Sequence, residues 1–370
     1  MRGRRGVSQA MHGGRIDLAC LTYGGEARDW LDFSVNLNPY APPLSATIWR
    51  RIGAAAGCYG DPAARGLQDR LSQYYAVPPP CLLPTAGGSE ALYLATRLFA
   101  GKTVLVAEPG FGDYARAVAA GGGIAIRHEI FHLHFSGTPA AILARLDRAI
   151  AAHRPACVLL GNPNNPTGHG IPARELGALI RAHDCAWIVD EAFSEFVGVD
   201  PPHSLLPRLA EWPRLLIARS LTKSFAVPGL RIGFLATASR AWLERLADLQ
   251  PPWSVSSLVQ SWAEIVLAAE ARMALEEGLH RLARVRARLL AGLGAIGGLR
   301  PYPSAANFIL VELLGGLSTG ELSERLAARR ILIRRCDSFH GLTPGRFFRL
   351  AVRRPADNAR LLAALRDCVP

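Results

Sequence analysis

The sequence predicts an α/β protein with a mostly parallel β-sheet that helices cover on both faces. Between about residues 82 and 240, short apolar runs alternate with helix-like segments, a pattern typical of parallel strands joined by helical crossovers. The strand candidates are Thr103–Ala107, Gly123–Ile126, Cys157–Leu160, Trp187–Val189, Leu215–Ala218 and Ile232–Ala236. The helical candidates between them include Ser89–Phe99, Tyr114–Ala120 and Ala173–His183. Ligands of such sheets bind at the carboxyl ends of the strands.

Two further parts flank this α/β region. Residues 1–45 are rich in Gly, Asn and Pro, and we interpret them as an N-terminal arm. Residues 46–250 then form the large ligand-binding domain, and residues 251–370 form a smaller α+β domain. The elements expected in the smaller domain are helices at Ser254–Ala271 and Met273–Leu293, strands at Asn307–Val311, Ile331–Arg334 and Phe347–Val352, and a final helix at Ala356–Cys368.

The charge and composition narrow the class of protein. The formal net charge of +12 is compatible with a nucleic-acid partner, but the basic residues are spread along the whole chain. No zinc-finger spacing or RNP-like motif accompanies them. We therefore expect a small anionic substrate and no nucleic-acid partner. The seven cysteines are scattered without a CxxC pair, so we expect no metal site and no disulfide framework.

The sequence also carries no membrane signal. No apolar run approaches ~18 residues, the length that a membrane helix needs. No apolar stretch follows the basic start Met1–Arg5, as it would in a secretory signal. The expected location is therefore cytoplasmic, without a membrane partner.

Lysine is scarce, and this scarcity draws attention to Lys223. Of the 42 lysines and arginines, only Lys102 and Lys223 are lysines. Arginine stays protonated, whereas lysine can lose its proton and form an imine. Lys102 precedes a strand candidate and is interpreted as a solvated loop residue. Lys223 follows a strand, with Ser220 and Thr222 just before it and Arg231 eight residues after it. Hydroxyls and a guanidinium around one amine suit a phosphate held beside an imine, although a surface loop with an incidental lysine is the alternative.

Three more motifs fall at strand ends or at a helix start. Asp190 ends the strand Trp187–Val189, where ligands bind, although a helix N-cap would also use an aspartate. The loop 161–168 contains two Asn-Pro steps, which make it rigid and able to present an amide to a ligand. The Gly88-Ser89 step opens a helix and exposes backbone N–H groups to an anion; an ordinary serine N-cap is the alternative.

In this order and spacing, the motifs resemble those of the fold-type I pyridoxal-phosphate (PLP) family, the aspartate aminotransferase superfamily. The strings that carry the resemblance are GNPNNPTG at 161–168, VDEAF at 189–193, SLTKSF at 220–225 and GLRIGF at 229–234. The resemblance covers essentially the whole chain and implies the PLP fold, with a seven-stranded, mostly parallel sheet. Within the family the chain resembles the histidinol-phosphate aminotransferase branch. Its segments HGG at 12–14 and DFSVNLNP at 32–39 are most similar to threonine-phosphate decarboxylases.

The resemblance implies a role for each matching residue in holding the cofactor. Lys223 carries PLP as a Schiff base. Asp190 pairs with the pyridine nitrogen and keeps it protonated, so that the ring acts as an electron sink. Asn165 donates to O3′ of the ring, and Phe111 stacks on it. The residues expected at the cofactor phosphate are Gly88, Ser89, Ser220, Thr222 and Arg231, together with Tyr59 from the other subunit of a homodimer.

The resemblance also implies a substrate site. Arg349 matches the arginine whose bidentate fork holds the substrate carboxylate. Arg334 or Arg335, with His12, is expected to meet a substrate phosphate. Asn36 and Asn165 are the remaining expected substrate contacts.

Phe193 departs from the pattern. Aminotransferases of the branch usually have Tyr at this position, so one hydroxyl to O3′ is missing here. The change favours a decarboxylase over an aminotransferase. Tolerated drift within an aromatic pocket is the other interpretation, and both remain open at this point.

The function implied is PLP-dependent decarboxylation of L-threonine O-3-phosphate to (R)-1-aminopropan-2-yl phosphate for cobalamin biosynthesis. The alternative is a histidinol-phosphate aminotransferase, which has the same fold and cofactor. A non-catalytic PLP-binding regulator is disfavoured, because Lys223 is intact and the motifs begin too near the N-terminus to leave room for a DNA-binding domain.

Overall fold

The computed structural model describes residues 13–131, 137–197 and 202–369. The strands in this part of the chain are β1 (Leu31–Asp32), β2 (Leu82–Thr85), β3 (Thr103–Glu108), β4 (Ile124–Glu129), β5 (Cys157–Gly161), β6 (Ala186–Asp190), β7 (Leu215–Ser220), β8 (Gly233–Ala236), β9 (Leu299–Pro301), β10 (Phe308–Leu313), β11 (Ile331–Leu332), β12 (Arg334–Arg335) and β13 (Phe347–Ala351).

The α-helices of the described residues alternate with these strands. They are α1 (Ile16–Tyr23), α2 (Ala46–Ala54), α3 (Arg65–Tyr75), α4 (Gly88–Thr96), α5 (Tyr114–Ala120), α6 (Pro139–His153), α7 (Ala173–Ala182), α8 (Arg240–Leu249), α9 (Ser257–Val266), α10 (Ala269–Gly294), α11 (Thr319–Ala327) and α12 (Pro355–Cys368). Several begin at a side chain that accepts a backbone N–H of the first turn, which satisfies a donor that the helix itself leaves free. These caps are Ser45, Thr138, Ser239, Ser256 and Ser318.

A seven-stranded sheet in the order β2-β8-β7-β6-β5-β3-β4 forms the centre of the molecule. Strands β7, β6, β5, β3 and β4 are parallel to one another, and β8 runs antiparallel to both β7 and β2. The predicted α/β class with a mostly parallel sheet is therefore confirmed. The carboxyl ends of the parallel strands meet at one edge of the sheet, which is where such folds bind ligands.

Strand β2 lies outside the apolar runs that the sequence pattern identified. It is four residues long and contains Pro84, which cannot donate to a strand ladder. The structure places β2 at the edge of the sheet, where it pairs with β8 alone. An edge position tolerates proline. Pro84, which made this segment look unlike a strand in the sequence, is therefore compatible with its place in the fold.

The two faces of the central sheet bury different residues of the same strands. On β6, Ile188 packs in the core beside α4 and α5, whereas Trp187 and Val189 pack in the core on the opposite face. This alternation is the normal consequence of the two-residue period of a strand. It continues beyond the strand end and directs Asp190 and Glu191 to opposite faces.

The C-terminal part contains a four-stranded antiparallel sheet in the order β12-β13-β10-β9. Its core is formed with α10, α11 and α12. The predicted single strand at Ile331–Arg334 is two short strands, because β11 pairs with β1 near the N-terminus while β12 pairs with β13. The boundaries proposed at residues 45 and 250 stay predictions.

Across residues 13–131, 137–197 and 202–369, no helix has the length and apolar character needed to cross a membrane.

Candidate active site

One cleft at the carboxyl ends of the central strands brings together most of the residues singled out in the sequence. The predicted site residues that line it are Asn36, Gly88, Ser89, Phe111, Asn165, Asp190, Ser220, Thr222, Lys223, Arg231, Arg334 and Arg349. They come from three regions of the chain that are far apart in sequence. Most of these residues lie at the ends of the central strands or at the start of α4. Arg334 and Arg349 lie on the small sheet, and Asn36 lies in the segment after β1.

Two of the described predicted residues do not line this cleft. Tyr59 is 89% exposed, and its ring lies 5.3 Å from that of Trp253. The guanidinium of Arg335 is paired with Asp337 at 2.5 Å. His12 lies outside the described residues.

Lys223 is a buried amine in a positively charged environment. Burial, together with the nearby Arg231 and Arg349, lowers its pKa to about 8, while Asp190 opposes the shift. Its Nζ donates to Oγ1 of Thr222 at 3.3 Å. A lowered pKa means that a large fraction of the amine is neutral in mildly alkaline solution, and only the neutral amine can attack a carbonyl carbon.

Asp190 faces the same cleft with its carboxylate fixed by two donors. The hydroxyl of Tyr114 donates to Oδ2 at 2.8 Å, and the backbone N–H of Ala192 donates to Oδ1 at 3.0 Å. Burial raises the pKa of Asp190, and these two hydrogen bonds counteract that rise by favouring the ionised form. The carboxylate is therefore held in one orientation toward the cleft.

Sequence reasoning did not identify Tyr114 as a site residue. Its ring contacts that of Phe111 edge-on, at a centroid distance of 5.7 Å. The backbone N–H of Tyr114 donates to the carbonyl oxygen of Phe111 at 2.9 Å, so a turn just before α5 brings the two residues together. The spacing between Phe111 and Tyr114 is thus the signal that could have identified it, although the partner Asp190 is distant in sequence.

A group of N–H, hydroxyl and guanidinium donors converges at the start of α4. Gly87 has a φ of +86°, and a Cβ added there would lie 2.7 Å from Nη2 of Arg231. A Cβ on Gly88 would lie 3.1 Å from Cβ of Ser220. The hydroxyls of Ser220 and Thr222 are 2.8 Å apart. This space, left open by glycines at a helix N-terminus, suits a phosphate group.

The residues present therefore fit pyridoxal 5′-phosphate. The donors around α4 match its phosphate, the amine of Lys223 matches its aldehyde, and the carboxylate of Asp190 matches its pyridine nitrogen. All three groups line the same cleft.

Arg349, on β13, is buried at the small-sheet side of the cleft. It donates to Oδ1 of Asn165 and, at 3.3 Å, to the carbonyl oxygen of Ser34. The Asn36 amide, with its oxygen toward the guanidinium, accepts from both Nη atoms at 3.1 Å. Within the described chain no carboxylate pairs with Arg349, and burial lowers its pKa to about 10. A buried guanidinium whose hydrogen-bond partners are all neutral suits an incoming carboxylate.

Arg334 lies directly beside Arg349 in the small sheet. The two residues are cross-strand partners on β12 and β13. The Arg334 side chain is buried, donates to Oγ of Ser338 at 2.9 Å, and lies 5.2 Å from the ring centroid of Phe339. Two adjacent guanidinium groups thus give this end of the cleft a high positive charge.

Phe193 lines the cleft two positions beyond Glu191. It is buried, and its ring packs edge-on against Phe308 at a centroid distance of 5.0 Å. The position therefore contributes an apolar wall near Asp190 and no hydroxyl.

The chain is similar to known proteins over most of its length. Residues 28–365 match the model of the aminotransferase class I and II family. A threonine-phosphate decarboxylase from Salmonella typhimurium is 33% identical over 365 residues, covering 96% of each chain. A histidinol-phosphate aminotransferase from Cupriavidus pinatubonensis is 32% identical over 343 residues, covering 88% of each chain.

The fold is also that of solved structures. A histidinol-phosphate aminotransferase from Sinorhizobium meliloti, solved with pyridoxal-5′-phosphate, superimposes with a TM-score of 0.81 at 23% identity, covering 99% of this chain and 98% of that one. The family resemblance and the fold inferred from the sequence are both confirmed. The relatives divide between decarboxylases and aminotransferases.

The lowered pKa of Lys223 predicts its reactivity in the cofactor-free protein. A lysine with a pKa of about 8 becomes neutral, and reactive toward acetic anhydride, as the pH rises through about 8. Competitive acetylation read by peptide mass spectrometry should show half-maximal labelling of Lys223 near that pH. The exposed Lys102 serves as the internal control. Identical pH profiles for the two lysines would contradict the assigned environment of Lys223.

Proposed function

The chain belongs to the aminotransferase class I and II family, whose cofactor is pyridoxal 5′-phosphate, and we propose that it decarboxylates L-threonine O-3-phosphate to (R)-1-aminopropan-2-yl phosphate. The product is a building block of cobalamin biosynthesis. The observation that carries the proposal is the pair of adjacent guanidinium groups, Arg334 and Arg349, at one end of the cleft.

Two neighbouring arginines suit a substrate with two neighbouring anionic groups. In L-threonine O-3-phosphate the carboxylate is on the α-carbon and the phosphate is on the adjacent β-carbon oxygen. Directly opposed residues of an antiparallel pair are about 4.5–5.5 Å apart at Cα, so their side chains can reach both groups of a molecule this small. In this proposal Arg349 binds the carboxylate and Arg334 binds the phosphate.

When bound, pyridoxal phosphate supplies an electron sink for the bond that breaks at the substrate α-carbon. Asp190 holds a proton at the pyridine nitrogen, and Tyr114 and Ala192 keep its carboxylate in place. Arg349 orients the carboxylate of the substrate by a two-point contact.

We assign to Lys223 the role of proton donor to the substrate. The Cα–carboxylate bond breaks, carbon dioxide leaves, and the α-carbon must then receive a proton. A lysine with a pKa of about 8 can carry a proton and release it near neutral pH. Its Nζ faces the cleft beside Thr222.

Phe193 supports the same choice of reaction. It removes a hydroxyl that aminotransferases of the branch place at O3′ of the cofactor, and its ring is fixed by Phe308.

The second candidate is a histidinol-phosphate aminotransferase, because relatives with this activity match nearly as much of the chain. Histidinol phosphate carries a phosphate and an imidazole but no carboxylate. Its amino-group acceptor, 2-oxoglutarate, carries two carboxylates and would use Arg349 in a separate half-reaction.

We also propose a homodimer in which Tyr59 reaches the cofactor phosphate of the partner subunit. The support is that Tyr59 is 89% exposed on the single chain and lies beside the half-exposed Trp253, so that both rings present apolar surface to solvent. Sedimentation analysis of the holoenzyme should give twice the chain mass. A holoenzyme that sediments as a fully active monomer would contradict the dimer.

The two candidate activities can be separated in one side-by-side assay. The PLP-loaded enzyme is given L-threonine O-3-phosphate alone in one reaction, and histidinol phosphate with 2-oxoglutarate in the other. We expect carbon dioxide and aminopropanol phosphate from the first reaction and no glutamate from the second. Glutamate from the second, with no carbon dioxide from the first, would establish the aminotransferase instead.

The assignment of Arg334 rather than Arg335 to the substrate phosphate predicts a specific change in selectivity. Arg334→Gln should lower the preference for L-threonine O-3-phosphate over L-threonine, measured as the ratio of kcat/KM values, by about tenfold or more, because a charge-assisted contact contributes about 1.5–3 kcal/mol. Arg335→Gln is the matched control, since that guanidinium is engaged by Asp337. If the ratio falls in Arg335→Gln and not in Arg334→Gln, the assignment is wrong.

A further inference from the structure

A cluster of buried charges lies behind the cleft, on the opposite face of the central sheet. Arg219 and Glu191 are 5% and 1% exposed. Nη2 of Arg219 lies 2.9 Å from Oε2 of Glu191, and Nη1 lies 3.9 Å from Oε1 of Glu195. None of the three side chains lines the cleft.

Each member of the central ion pair is the chain neighbour of a cleft residue. Glu191 follows Asp190 at the end of β6, and Arg219 precedes Ser220 at the end of β7. The alternation of side chains along a strand sends Asp190 and Ser220 to the cleft and sends their neighbours to the other face. Strands β6 and β7 are paired up to Asp190 and Ala218, and the N–H of Glu191 donates to the carbonyl of Ala218 at 2.8 Å. The ion pair therefore joins the two strand ends just where the backbone pairing stops.

The remaining contacts of Glu191 fix its carboxylate in one orientation. The backbone N–H of Leu205 donates to Oε1 at 2.7 Å, and the hydroxyl of Ser204 donates to Oε2 at 2.7 Å. Arg219 also donates to the same Ser204 oxygen, at 2.7 Å. One carboxylate and one guanidinium thus share a network that ties three chain segments together.

Glu195 extends this network along the segment that carries Phe193. Its Oε1 accepts the hydroxyl of Tyr75, and the guanidinium of Arg219 lies 5.3 Å from the centroid of the Tyr75 ring. The segment is consequently held at Glu191 and at Glu195 on one side. On the other side it presents Asp190 and Phe193 to the cleft.

Stability alone does not account for such a cluster. Taking charges out of water costs several kcal/mol per ion, and well-packed apolar residues of similar size often stabilise a protein equally well. What an arginine paired with Glu191 and Ser204 adds is fixed direction, because its planar guanidinium donates only along its N–H bonds.

We propose that Arg219 is a positioning residue that acts through Glu191 and Glu195 to hold Asp190 and Phe193 against the cofactor ring. Removing it frees the end of β6, so that Asp190 no longer meets the pyridine nitrogen in one fixed geometry. This role does not depend on which bond of the substrate is broken, so it is independent of the choice between decarboxylation and transamination.

The test compares Arg219→Met with Glu312→Gln. Glu312 is a buried carboxylate of the small sheet, 3.1 Å from Arg300 and 2.7 Å from the hydroxyl of Tyr302, and it does not line the cleft. Two properties of the PLP-loaded proteins are measured, the dissociation constant of pyridoxal phosphate and the pH midpoint of its absorption change. Thermal unfolding is followed in parallel to record the loss of stability in each variant.

Arg219→Met should weaken pyridoxal-phosphate binding by about 10–100-fold, the range seen for residues that orient a metal ligand and expected here for one that orients Asp190. It should also move the absorption midpoint to higher pH. A protonated ring nitrogen withdraws electrons from the bond between the cofactor and Lys223. When the ring nitrogen loses its proton, the nitrogen atom of Lys223 in that bond becomes more basic. Glu312→Gln should lower the melting temperature while leaving both cofactor properties unchanged.

If Arg219→Met does not fold, the same measurements can be made on a double variant. Arg219→Met alone leaves Glu191 as an uncompensated buried charge, and adding Glu191→Gln removes that charge. The double variant should regain thermal stability and still show the weaker binding and the shifted midpoint. Wild-type affinity and midpoint in a folded Arg219→Met protein or in the double variant would overturn the proposal. Equal shifts in Glu312→Gln would overturn it as well.

Discussion

The site depends on one electrostatic constraint, a buried amine surrounded by guanidinium groups. Burial together with Arg231 and Arg349 lowers the pKa of Lys223 to about 8, and Asp190 is the anion that opposes them. Opposite charges inside a protein attract strongly because the surroundings screen them poorly. A cleft with this excess of positive charge is completed by anions from outside. The cofactor phosphate supplies one, and the substrate proposed above would supply the others.

The fold places these charges by combining three chain regions that cannot form the site separately. The parallel strands deliver Asp190 and Lys223 to one edge of the central sheet, and the small sheet brings Arg349 across from the other side. The segment after β1 closes the arrangement. The backbone N–H of Asn38 donates to the carbonyl of Lys223 at 3.0 Å, and the Asn38 amide donates to the carbonyl of Ser224 at 2.9 Å. The turn that carries the amine is therefore fixed by a distant part of the chain.

The parts of the site that follow a strand could be predicted from the sequence, because the motif and the strand end are adjacent in the chain. Asp190 and Lys223 are of this kind, and so is the parallel sheet itself. Contacts between distant segments could not be predicted in this way. Tyr114 meets Asp190 across 76 positions, and Tyr75 meets Glu195 across 120. Strand β2 could not be predicted because its proline is unfavourable in most strands. The proline is tolerated here because the strand lies at the edge of the sheet.

The attachment of the cofactor to Lys223 can be tested directly. Borohydride reduction of the holoenzyme fixes the cofactor covalently on the amine that carries it, and peptide mass spectrometry then locates it. The chain has only two lysines, so the assignment is unambiguous. We expect a phosphopyridoxyl group on Lys223. A group on Lys102, or a cofactor that still dissociates when the reduced protein is denatured, would contradict it.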